Sequence, residues 1–83
     1  LNVQVVTGDD GQVQGITTDN IEQYDVANEL GFQNGDVLVS VNNEPVQSRE
    51  DAVNVVRKYQ SASIFRIGVL RGGQMQYITY RVR

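Results

Sequence analysis

An 83-residue chain that is 40% hydrophobic holds material for one compact core and not two, and folding at this size buries roughly 60–65% of the surface the extended chain would expose. With no cysteine and no histidine, it has no disulfide, no thiolate or imidazole metal ligand, and no Ser-His or Cys-His nucleophilic pair. Seven basic residues against ten acidic ones give a net charge of −3, and with only Arg57 and Lys58 side by side they form none of the clusters that phosphate binding needs.

Leu1 to Val6 alternates apolar and polar, the pattern of a half-buried strand. Thr7-Gly8-Asp9-Asp10-Gly11 is turn chemistry, and Gln12 to Thr18 resumes a strand, so the first eighteen residues read as a hairpin. From Asp19 to Gly31, the spacing of Ile21, Tyr24, Ala27 and Leu30 predicts a short helix that stops at the glycine. Gln33 to Asp36 is a second turn, and Val37 to Val41 a β-branched strand ended by Asn42-Asn43.

The long helix follows. Ser48 suits its N-cap, with Asp51 three residues on as a capping-box partner; Glu50 and Asp51 in the first turn and Arg57 and Lys58 in the last complement the helix dipole. Apolar residues at 52, 53, 55, 56 and 59 form a stripe wider than one contact surface needs. Ile64 to Leu70 and Met75 to Val82 are strands joined by a tight turn over Arg71-Gly72-Gly73-Gln74. The expected fold class is α+β: five to six short strands with one long and one short helix, in a single domain over residues 1–83.

No apolar run approaches the ~20 residues of a membrane span. Beginning on an apolar residue without an initiator Met, the chain reads as a fragment of a longer protein. The adjacent carboxylates Asp9-Asp10 and Glu50-Asp51 sit in a turn and at a helix start, and neighbours on such elements point different ways, which suits a shared acid/base site poorly. No enzymatic activity, cofactor or metal is expected, nor any nucleic-acid partner. Gly31 and Asp36 read first as structural, a helix stop and a turn acceptor.

The segment Leu30-Gly31-Phe32-Gln33-Asn34-Gly35-Asp36-Val37-Leu38-Val39-Ser40-Val41-Asn42-Asn43 resembles the signature of PDZ domains, with Asn43 in place of the final glycine. Ile67 to Gln74 is similar to the last hairpin of PDZ domains attached to HtrA-like proteases, and the likeness runs from Leu1 to about Val82. The element order resembles the permuted bacterial PDZ arrangement. The resemblance implies a small, partly open β-barrel or sandwich and a non-catalytic module that takes an extended peptide or partner segment as an added strand.

By that resemblance, Leu1, Asn2 and Val3 end the carboxylate-binding loop, and Val3, Gln4 and Val5 form the edge the peptide pairs with. Asn2 stands where the loop has its second glycine, a departure from the pattern that captures a free C-terminus. Arg49, Val53, Val56 and Arg57 are implied to face the groove, and Ala52, Val55 and Tyr59 the core; helical spacing puts 49, 53, 56 and 57 on one face. The sequence alone leaves open whether Val53 and Val56 are plain core residues and whether the two arginines are solvated surface charge.

Permuted PDZ domains occur in HtrA-like proteases, site-2 metalloproteases and the inner-membrane C component of type II secretion. This chain lacks the Ser-Pro-Ala motif of many protease PDZ domains, and Leu30-Gly31-Phe32 more closely resembles the secretion component's Leu-Gly-Leu pattern. The expectation is a domain of an envelope protein in the periplasm, serving type II secretion, with the substrate-binding domain of an envelope protease as the alternative and an inert spacer as a third reading.

Overall fold

The computed structural model describes residues 3–19, 21–23 and 25–82, and in that range all side chains but those of Glu22 and Val26. Strands β1 (Val3–Thr7), β2 (Val13–Thr18), β3 (Val37–Val41), β4 (Glu44–Pro45), β5 (Ile64–Arg71) and β6 (Gln74–Arg81) alternate with helices α1 (Asp25–Leu30) and α2 (Arg49–Lys58). All form one antiparallel sheet in the order β1-β2-β3-β5-β6, with β4 paired to β3. The α+β expectation holds.

Turn chemistry sets the registers. Val41 pairs with Glu44 and Arg71 with Gln74, leaving the two-residue loops Asn42-Asn43 and Gly72-Gly73. All four loop residues have positive φ, 51°, 68°, 61° and 80°, as a type I′ hairpin turn requires. Asn43 therefore does the work of a glycine, at the mild cost asparagine incurs in the left-handed region. Asn42 adds a second function. Its Oδ1 accepts from the Arg66 amide at 2.8 Å and its own amide donates to the Arg66 carbonyl at 2.7 Å, tying the hairpin to β5.

The segment from Asp19 to Gly31 is less regular than its spacing suggests. Instead of one helix it holds a 3₁₀ turn, Ile21–Gln23, and then α1; Tyr24 lies outside the described residues. The Gly31 amide donates to the Asn28 carbonyl (3.1 Å) and that of Phe32 to the Ala27 carbonyl (3.0 Å). With Gly31 at φ 90°, this is a Schellman stop. Six residues of α1 are too few to be stable alone, and its buried position is Ala27.

Helix α2 begins as its sequence implies. The Asp51 amide donates to Ser48 Oγ at 3.0 Å, but the Asp51 carboxylate accepts from Gln47 N at 2.9 Å and not from the cap itself. Its buried side packs Val55, with Ala52 and Tyr59 alongside, onto Ile16 and Val46. Val46 and Val69 are fully buried. At the far end Lys58 Nζ meets Glu44 Oε1 at 2.6 Å, fastening the helix to β4.

Candidate functional site

The helix covers the sheet unevenly. Val55 packs down, while Val53 and Val56 stay 43% and 69% exposed. They face an apolar groove of about 720 Å³ between α2 and the end of the sheet where β1 is the edge strand. Val3 of β1, Ile16 of β2 and Leu38 of β3 contribute from the sheet, and Ala27, Leu30 and Phe32 also line it. Arg49 and Arg57 lie on its helical wall, on either side of the valines.

Of the residues singled out by sequence, Val3, Arg49, Val53, Val56 and Arg57 line this groove together. Gln4 and Val5 are exposed on β1 but not among its lining residues. Leu1 and Asn2, expected to end the carboxylate-binding loop, lie outside the described residues. Ala52 both packs on the core and contributes to the groove wall. Sequence reasoning missed Ile21, Ala27, Leu30 and Phe32 as lining residues. The spacing of Ile21, Ala27 and Leu30 marks an apolar helix face but carries no sign of what that face borders.

One outer edge of the sheet belongs to β1, whose paired side is taken by β2 from Val3↔Thr18 to Thr7↔Val13. Alternate backbone groups of an edge strand point away from the sheet and are open to pairing with another chain. An open edge and an apolar helix face bordering one groove are what a strand-shaped ligand needs: main-chain partners on one side and side-chain contacts on the other.

Asp36, 2% exposed, also belongs to the lining. Arg71 grips it with two parallel bonds, Nε to Oδ1 at 2.9 Å and Nη2 to Oδ2 at 2.7 Å, while Gln33 N donates to Oδ2 at 2.9 Å. Arg71 Nη2 also reaches the Gly31 carbonyl at 3.1 Å, and Thr17 Oγ1 donates to the Asp36 carbonyl at 2.8 Å. The Arg71 hydrogen bonds, above all, hold the Asp36 carboxyl below its ordinary pKa, helped by the Gln33 amide and opposed by burial. Such a group is a clamp joining β5, the α1 stop and the turn before β3. It is not poised for proton transfer. Among the described residues no three acidic side chains gather as a metal site would need.

The sequence profile of the PDZ domain matches residues 1–82. The chain belongs to the PDZ family. It is therefore a protein-interaction module, of a kind that is generally non-catalytic. No curated protein sequence matches this PDZ domain. Among solved structures it is similar to the PDZ domain of EpsC from Vibrio cholerae, residues 204–305, at TM-score 0.62 and 19% identity, over 95% of this chain and 74% of that one. A second structure of the EpsC domain, residues 219–305, gives TM-score 0.58 and 19% identity over 96% and 91%. At that identity the likeness is one of fold.

Proposed function

We propose that this PDZ domain binds an extended segment of a partner protein by strand addition to β1, the segment lying in the groove against α2. The observation that carries the reading is the juxtaposition of the free β1 edge with two exposed valines, Val53 and Val56, over a 720 Å³ apolar groove. Leaving such surface open is a liability unless a partner covers it. The binding residues are then Val3, Gln4 and Val5 on the strand, with Arg49, Val53, Val56 and Arg57 on the helix. Amide hydrogen exchange on the domain with and without bound peptide tests it. Protection should rise along β1, and protection confined to β6 or the hairpin loops would refute strand addition there.

The biological setting we propose is type II secretion, in the periplasmic part of an inner-membrane-anchored component. It is supported by Leu30-Gly31-Phe32, here the Schellman stop beside the groove, and by a fold shared with the EpsC domain. Deleting the domain from its parent protein separates the readings. Accumulation of exported proteins in the periplasm supports secretion, whereas accumulation of unprocessed or misfolded envelope proteins supports the protease alternative.

A further inference from the structure

The helical wall of the groove carries a regular row. Arg49, Val53 and Arg57 are spaced i, i+4, i+8, so they rise along α2 in steps of about 6 Å. An extended peptide repeats on one face every second residue, in steps of about 6.6–6.8 Å. The two periods nearly coincide, so residues p, p+2 and p+4 of a strand laid along the groove meet these three side chains in turn. Both arginines are exposed, and among the described residues neither makes an ion pair or a side-chain hydrogen bond. The one carboxylate of the groove lining, Asp36, is already held by Arg71. A domain of net charge −3 thus presents two uncompensated positive charges at one site.

Resting on the strand-addition reading above, we infer that the groove selects acidic partner segments of the pattern acidic-x-apolar-x-acidic, the central residue seating on Val53 and Val56 and the flanking carboxylates meeting Arg49 and Arg57. Charge complementarity argues for this occupant over a basic or uncharged one, because a cation at either flank would face a guanidinium in a groove partly shielded from water. Guanidinium groups suit the task, since each offers a fork of donors to a carboxylate.

The test uses three capped and amidated peptides, Thr-Glu-Thr-Val-Thr-Glu-Thr and its versions with Gln or Lys at both Glu positions, titrated into the domain at low salt. The Glu peptide should bind about tenfold more tightly than the Gln peptide, as two partly exposed ion pairs allow, and the Lys peptide more weakly still. The advantage should shrink as salt is raised to ~0.5 M. In the Arg49→Glu/Arg57→Glu variant the order should invert, and in Arg49→Gln/Arg57→Gln the three should converge, with far-ultraviolet circular dichroism confirming that both fold. Equal binding of all three peptides to the native domain would overturn the charge rule while leaving strand addition standing. A fourth peptide, the Glu sequence with a free C-terminal carboxylate, completes the set: binding of none of the four would overturn both, and binding of that peptide alone would overturn the charge rule, by showing that the anion is read at the peptide's end and not along α2.

Discussion

Replacing Arg71 with Met keeps most of the side-chain stem and removes the charge. Among the described residues Asp36, 2% exposed, would then retain a single donor, Gln33 N, and its Oδ1 would lose its one partner. Stranding a buried charge costs about 3–5 kcal/mol. The Arg71 side chain is 27% exposed, so water reaches the vacated space, and we expect the lower end, about 3 kcal/mol. Against the ~4–12 kcal/mol available to a domain of this length, that is a large fraction, and it corresponds to a fall of roughly 12–24 °C in Tm. Urea and thermal unfolding at pH 7 measure it. Asp36→Asn in the Arg71→Met background should recover part of the loss, because a neutral amide is cheaper to bury than a lone carboxylate. The pH dependence has a definite sign. The carboxyl is held below its ordinary value of about 3.9, so its contribution is fully present above that value and is lost as pH falls through the depressed one. The native domain should therefore lose stability through Asp36 only below about pH 4, and Arg71→Met should lose that part of the acid dependence. A Tm for Arg71→Met within about 3 °C of the native domain, a loss under roughly 1 kcal/mol, would refute the clamp.

Three further outcomes are expected. Val53→Asp should cost about 1 kcal/mol or less in stability, since a half-exposed valine contributes only part of the ~2 kcal/mol of a buried one, but should weaken peptide binding about thirtyfold, or ~2 kcal/mol, by desolvating a carboxylate; an unfolded variant would place Val53 in the core, and undiminished binding would remove it from the site. Gly68→Val should lower stability by about 1–3 kcal/mol in chemical denaturation, because a Cβ there would come within 2.5 Å of Ser40 Oγ and 3.2 Å of the Tyr77 ring; an unchanged midpoint would mean that β6 yields freely. Ser48→Ala should cost about 1 kcal/mol in thermal unfolding through the lost cap on Asp51 N, and a cost near zero would show Asp51 and Gln47 holding that helix end without the serine.

Much of this domain is written in short-range chemistry. The Gly72-Gly73 and Asn42-Asn43 loops, the stop at Gly31 and the Ser48 cap depend on residues within a few positions of one another, so local φ preferences and side-chain reach are enough to determine them. The strands and α2 follow from apolar periodicity, which is also local. Over the PDZ signature those local features together determine the fold class. What α2 leaves uncovered is decided differently. Residues 52, 53, 55 and 56 are all apolar, and although helical spacing sorts Val55 from Val53 and Val56, no local rule says which of the two faces is buried, as Val55 is, and which stays open. That division depends on where β4 and Val46 dock the helix against β3 and on how far α1 stands from it. The partner of Asp36 was equally hidden, since Arg71 lies 35 residues away and meets it only because β5 pairs with β3 through Val37↔Leu70. Local residues determine which surfaces are apolar, and only the tertiary arrangement decides which of them face one another and which stay open, because that depends on sheet order and docking across the whole chain.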